Sequence, residues 1–214
     1  MLSSRRTWGF AFVASIGALC DVSFAAEAPP DTPPDSQPDA QIVAIWQIQQ
    51  IDFVYNSTTV RYSCGNLQRR IAAILQAVGA HARIGVELGC NSGDLVRYTS
   101  VHLTLAIPVE ATEENIRAAT DFDTRDELVA RLHQTALPSA ADVQRFPASW
   151  RTVALSRSPP LALGPGDCDL LKVMRDDVFP RLRVRVVSSG LHCGGGSDTR
   201  IAPRIQVNAL IPRN

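Results

Sequence analysis

Lysine is almost absent from this chain: of its 21 basic residues twenty are arginine, and Lys172 stands alone. Acidic residues also number 21, so the formal net charge is zero and no basic surplus exists to attract nucleic acid or an anionic membrane surface. Several chemical signatures are missing as well. There is no C-x-x-C for thiol redox work, no G-x-S-x-G elbow for a serine hydrolase, and no Gly-Lys-Ser/Thr after the glycine run at Gly194-Gly195-Gly196 to make a phosphate loop. The four histidines, His81, His102, His133 and His192, show no metal-ligand spacing with one another or with a carboxylate, so neither a metal nor any other cofactor is implied. The arginine skew suits carboxylate or phosphate recognition, but codon bias in a GC-rich genome accounts more simply for a skew spread along the whole chain.

What is present begins with an export signal. Arg5 and Arg6 precede an apolar stretch from Trp8 to Leu19, and Ser23-Phe24-Ala25 supplies small residues where a signal peptidase reads them, so cleavage is expected after Ala25. The stretch is too short to anchor in a bilayer, and no transmembrane segment is expected in the remaining chain. Leu19 before Cys20 is the wrong residue for a lipoprotein signal, and the Arg5-Arg6 pair only faintly resembles a twin-arginine signal. Glu27 to Ala40 carries five prolines and four acids without a basic residue, a composition that cannot bury apolar surface. Residues 26–40 are therefore expected to form an extended, disordered leader. Removing residues 1–25 takes away Arg5, Arg6 and Asp21 and leaves a net charge of −1.

The rest of the chain repeats a pattern once. Trp46 and Trp150 each stand 18 residues before a cysteine, Cys64 or Cys168, which precedes Leu67 or Leu171 by three. A second cysteine follows, Cys90 or Cys193, and each stretch closes on Ile-Pro, at Ile107-Pro108 and Ile211-Pro212. Self-similarity of this kind points to an internal duplication. In an oxidising compartment the four cysteines are expected to pair within the copies, Cys64 with Cys90 and Cys168 with Cys193. Each bridge closes a loop that should contribute roughly 3 to 4 kcal/mol in the loop-entropy view.

Each copy reads as β-α-β-β. In the first, Ile42 to Tyr55 alternates as a strand, with Trp46 and Ile48 on one face and, after a register shift at Gln49-Gln50, Ile51, Phe53 and Tyr55. Leu67, Ile71, Ile74, Leu75 and Val78 fall on one helical stripe that Ser63 can cap and Gly79 can end. Strands through Ile84 to Leu88 and Val101 to Ile107 follow. The second copy has a weaker strand from Trp150 to Leu155, Asp167 as N-cap of a helix carrying Leu171, Met174 and Val178, and strands around Val184 to Val187 and Ile205 to Ile211. The expected organisation is an α+β fold: a signal peptide (1–25), a leader (26–40), a first repeat (41–108), a helical connection (109–149) and a second repeat (150–214). Within the connection, Thr124-Arg125-Asp126-Glu127 has the form of a capping box, and the segment is expected to pack on the sheet.

Two loops at matching places share a polar set: Asn91, Ser92, Asp94 and Arg97 in one copy, His192, Ser197, Asp198 and Arg200 in the other. They are the candidate binding residues, although turns select the same residue types for backbone reasons. Tyr62-Ser63-Cys64-Gly65-Asn66-Leu67, followed by Val78-Gly79-Ala80 and Gly89-Cys90, resembles a set of small exported proteins of Gram-negative bacteria with no assigned function. That resemblance covers roughly residues 46 to 108, implies a periplasmic address and carries no catalytic residue across. The expected function is non-catalytic: a periplasmic or secreted binding or accessory protein whose partner is a protein or envelope component. The alternative is an envelope hydrolase with its site at the junction of the two copies.

Overall fold

The computed structural model describes residues 41–58, 60–91, 93–193 and 202–213. The expected signal peptide and leader, and the loop residues Ser92, Ser197, Asp198 and Arg200, lie outside the described residues. Among the described residues eight strands and four α-helices follow in the order β1 (Gln41–Asn56), β2 (Tyr62–Ser63), α1 (Cys64–Ala77), β3 (Ile84–Leu88), β4 (Leu95–Val96), β5 (Tyr98–Glu110), α2 (Glu113–Ala119), α3 (Thr124–Leu132), β6 (Arg145–Leu155), α4 (Cys168–Val173), β7 (Arg185–Gly190) and β8 (Arg204–Pro212), with a 3-10 turn, Pro165–Asp167, ahead of α4. Helix α4 runs directly into a π-helical turn, Met174–Val178.

Six strands form one antiparallel sheet in the order β3-β5-β1-β6-β8-β7, and β2 and β4 make a separate two-stranded ribbon. Read inward from either edge, the order is the same: the strand after the helix, then the last strand, then the strand before the helix. The two groups of three are hydrogen-bonded into one sheet where Gln41–Ile45 of β1 pair with Ser149–Arg145 of β6. Their internal registers are offset, since Trp46 lies opposite Pro108 whereas Trp150 lies opposite Leu210, two residues short of Pro212.

Strand β1 pairs with β5 without interruption from Ala44–Glu110 to Asn56–Tyr98, so the register shift expected at Gln49-Gln50 does not occur. Ile51, Phe53 and Tyr55 are buried, and Ile48 simply lies on the other face, 72% exposed. Trp46 is covered on that face because β6 brings Phe146 to within 4.6 Å of it and the α1–β3 turn brings His81 to within 5.1 Å, ring centroid to ring centroid. The apolar residues of β1 thus serve two different neighbours, one on each side of the sheet.

The stripe on α1 behaves as its period requires: Leu67, Ile71, Ile74 and Leu75 are fully buried. Gly79 ends the helix with φ +96°. Its N–H and that of Ala80 close back on the Gln76 and Leu75 carbonyls at 3.0 Å each, which satisfies carbonyls the helix leaves free. The opposing α4 side contributes Leu170, Leu171, Met174 and Val178 to the same core, where they join Ile45 and Leu103 from one strand group and Leu155, Ile205 and Val207 from the other. Each such side chain contributes roughly 1.5 to 3 kcal/mol through burial. Cys64 bonds Cys90 and Cys168 bonds Cys193, with Cα atoms 6.3 and 5.4 Å apart. Disulfides of this kind belong to chains that fold in an oxidising compartment. Among the described residues no helix is long and apolar enough to cross a membrane.

Three local features differ from the pattern the sequence suggests. The capping box of α3 begins one residue early: Asp123 accepts from the Asp126 N–H at 2.8 Å and Asp126 accepts from the Asp123 N–H at 3.3 Å, leaving Thr124 as the first helical residue. Only part of the connection packs on the fold, for Ile116 and Ala119 of α2 touch the core while Leu128, Val129 and Leu132 of α3 are exposed. Asp167 precedes α4 without capping it, because its carboxylate is engaged elsewhere.

Candidate functional site

Where the two strand groups meet, the ends of β5, β6 and β8 leave a cleft of about 550 Å³. Its floor is apolar, built from Val78 and Ala80 after α1, Ile107 and Val109 of β5, and Leu210 of β8. One wall continues from Glu110 into α2, and the other is the segment Pro180 to Arg185 that links α4 to β7. A volume in the range of ordinary ligand sites, lined by apolar side chains with a few polar groups at the rim, is the usual form of a binding pocket.

The rim is held by specific bonds. Trp150 donates its indole N–H to Glu110 Oε1 at 3.0 Å, so the ring is fixed against the end of β5. Asn115 is buried, donates to the Glu110 carbonyl at 2.8 Å and accepts from Arg183 Nη1 at 3.2 Å. Arg183 therefore reaches from one wall to the other. Its backbone has φ +58°, in the left-handed region that a non-glycine residue enters at a cost. The chain accepts that conformation between Leu182 and Val184, both buried, and thereby turns Arg183 outward to the rim while its neighbours anchor in the core. A guanidinium with one N–H committed to Asn115 keeps further donors for an anionic group.

A second concave region, about 570 Å³, lies on the exposed face of β3, β5 and β1 and is lined by Asp52, Val54, Glu87, Ser100 and His102 among others. Glu87, His102 and Asp52 stand in register across the three strands. His102 Nδ1 bonds the Asp52 carboxylate, which raises the imidazole above its ordinary value, with burial opposing and Glu87 adding to the effect. Both partners are open to solvent, the side chains being 41% and 81% exposed.

A third polar group is buried where the β1–β2 turn meets the start of α4. Asp169 accepts from the Ser57 hydroxyl at 2.8 Å and the Thr58 N–H at 2.9 Å. Asp167 accepts from the Tyr62 hydroxyl and from the Gly164 N–H at 2.7 Å, and Arg70 Nε stands 3.6 Å away. Burial and the Asp167 carboxylate drive the Tyr62 phenol far above its usual range. Burial, opposed by the Ser57 hydroxyl and aided by the two carboxylates, pushes Tyr55 up to about 12. Ser57, Tyr55, Tyr62, Asp167 and Asp169 are all buried, which suits a tie between the two halves of the fold.

The residues singled out from the sequence do not converge at the cleft. Asn91, Asp94, Arg97 and His192 are exposed, and none of them lines it. The first loop spends its polar groups on its own turn: Asp94 Oδ2 accepts from the Asn91 N–H at 3.0 Å and the Asp94 N–H returns to the Asn91 carbonyl at 2.9 Å. The Asp94 and Arg97 carbonyls accept from the Cys64 and Ser57 N–H groups at 3.0 and 2.7 Å, fixing the loop to the start of α1 and the end of β1. Glu110, Asn115, Trp150 and Arg183, which shape the cleft, carry no motif. Trp150 alone had a signal, as an anchor of the repeated spacing. No group of three His, Cys, Asp or Glu side chains able to hold a metal occurs among the described residues. No protein-family model, curated protein or solved structure matches the chain.

Proposed function

We propose that this is an exported, non-catalytic binding or accessory protein of the periplasm or cell exterior, and that the cleft between the strand groups receives a protein or envelope partner. The observation that carries this reading is the combination of an apolar floor with a rim already fixed by the Trp150–Glu110 and Arg183–Asn115 bonds. Side chains held before the ligand arrives lose little freedom on binding, which favours recognition. The hydrolase alternative would need a base and a nucleophile or acid at this junction. Among the described residues the cleft lining carries the Glu110 and Glu114 carboxylates without a serine, cysteine or histidine beside them, and the His102–Asp52 pair lies on the open sheet face, which favours the binding reading. We also infer that the chain arose by duplication of a β-α-β-β unit, a reading supported by the matched cysteine spacings and by a strand order that reads alike from both edges.

The test is complementation of a deletion strain. Glu114→Trp places a bulky ring at the rim from an exposed position and is expected to abolish complementation while export and melting temperature stay unchanged. His192→Ala is expected to complement fully. A folded, exported His192→Ala protein that fails to complement, or a Glu114→Trp protein that succeeds, would overturn this reading.

A further inference from the structure

We infer that the occupant of the cleft is the C-terminal tail of a protein, with apolar side chains at its last positions and its free carboxylate on Arg183. This rests on the reading of the cleft as the binding site and adds the chemistry of the ligand. Three observations carry it. First, the floor and lower walls, Val78, Ile107, Val109, Leu182, Val184 and Leu210, are aliphatic and call for an aliphatic partner. Second, the Arg183 guanidinium is fixed at the rim by Asn115 and keeps N–H groups in the planar fork that matches a carboxylate. Arg183 and Arg185 make one wall positive, facing the Glu110 and Glu114 carboxylates of the other, and an apolar group that ends in an anion suits the positive wall.

Third, the cleft continues into an open strand edge. Arg185 lines the cleft and is also the first residue of β7. Among the described residues β7 lies at the end of the sheet and pairs only with β8, and it is exposed along all six residues, including Val186 and Val187. A free amino acid or an aliphatic acid would have no use for such an edge. A polypeptide whose last residues fill the cleft can extend along it and use the unpaired backbone groups as an added strand. The irregularity between Val186 and Ser188 limits the pairing to a short stretch beside the cleft. The Glu110 carboxylate bonds the Trp150 indole, and the Arg183 guanidinium bonds the Asn115 side-chain oxygen.

The probes are synthetic ten-residue peptides ending in Val-Leu-Val, N-acetylated, with either a free carboxylate or a carboxamide at the C-terminus, titrated into the full chain by calorimetry. The carboxylate form is expected to bind at least about tenfold more tightly than the amide, the difference that one charge-assisted hydrogen bond supplies. In Arg183→Gln, with an unchanged melting temperature, that ratio should fall to near one, and Arg183→Lys should restore part of it. A free Val-Leu-Val tripeptide should bind more weakly than the ten-residue acid. Equal binding of acid and amide, an unchanged ratio in Arg183→Gln, or a tripeptide that outcompetes the longer acid would each overturn the inference. If neither peptide binds while Glu114→Trp still abolishes complementation, the ligand class falls and the cleft remains the site.

Discussion

Ser57 donates its hydroxyl to Asp169 Oδ2 at 2.8 Å across 112 positions of sequence, joining the end of β1 to the first turn of α4. The Thr58 N–H reaches the same oxygen, so one buried carboxylate takes up two donors from a turn of the opposite half. Replacing Asp169 by alanine leaves both without this acceptor at about 1 to 3 kcal/mol each. The expected loss is about 3 kcal/mol, or a fall in melting temperature of roughly 6 to 12 °C for a chain of this size. Asp169→Asn keeps an acceptor oxygen and should lose about half as much. Thermal denaturation of the two variants decides the matter, and an alanine variant that melts with the wild type would show that the tie carries no stability.

The phenols of Tyr55 and Tyr62 make alkaline stability a second test. Both are raised in the folded chain, Tyr55 to about 12, with burial as the first cause in each. A phenol near 10 in the unfolded chain and higher in the folded one stabilises the fold fully below pH 10, and that contribution is lost as pH climbs toward the folded value. Denaturant unfolding at pH 9, 10 and 11 should therefore show stability level at first and then falling, by about 1.4 kcal/mol per pH unit for each phenol once the unfolded chain ionises. Tyr55→Phe should remove one such contribution and flatten the decline above pH 10. An unaltered slope would mean that Tyr55 ionises as readily in the fold as outside it.

These ties mark the boundary of what the sequence makes legible. Spacing alone identifies the cysteine partners, and the period of Leu67, Ile71, Ile74 and Leu75 identifies the buried face of α1, because both depend on residues near one another in the chain. Asp167 satisfies every local requirement of an N-cap, yet Tyr62, 105 positions away, takes its carboxylate. Asp123 and Thr124 can both cap, and only the geometry of the turn selects the first. The alternation in β1 suggests one buried face, but a strand shared between β5 and β6 buries apolar groups on both, which Trp46 and Ala44 reveal only once β6 is beside them. The cleft is less legible still. Arg183 and Asn115 are 68 positions apart, Trp150 and Glu110 are 40 apart, and neither pair has a local pattern to betray it.

Gly79 provides a third expectation that bears on the cleft directly. A Cβ at this position would stand 2.5 Å from the Leu210 carbonyl oxygen and 3.2 Å from the Ile211 side chain, and φ +96° is a conformation side chains seldom adopt. Gly79→Ala must therefore strain the backbone and push β8 away from the end of α1. The cost should exceed about 2 kcal/mol by chemical denaturation, combining left-handed strain with a backbone clash. Val78, Ala80 and Leu210 line the cleft, so the environment of Trp150 should change as well, seen as an altered indole emission in a Trp46→Phe background. A variant as stable as the parent would show that α1 and β8 do not approach this closely.

The row Glu87–His102–Asp52 on the exposed sheet face makes the last expectation one of charge. His102 Nδ1 bonds Asp52, and that bond is the largest cause of its raised pKa, with desolvation opposing it and the Asp52 and Glu87 charges adding to it. NMR titration of the imidazole should place His102 above the ordinary 6.5, with Asp52→Asn producing the larger fall and Glu87→Gln the smaller. Because the group is exposed, 1 M salt should bring the wild-type value back toward 6.5. The direction of linkage follows from the raised value: the pair favours the folded chain at pH below about 6.5, and that preference is lost as pH rises through the folded pKa. An Asp52→Asn protein whose His102 titrates like wild type would mean that the carboxylate and the imidazole stand apart in solution.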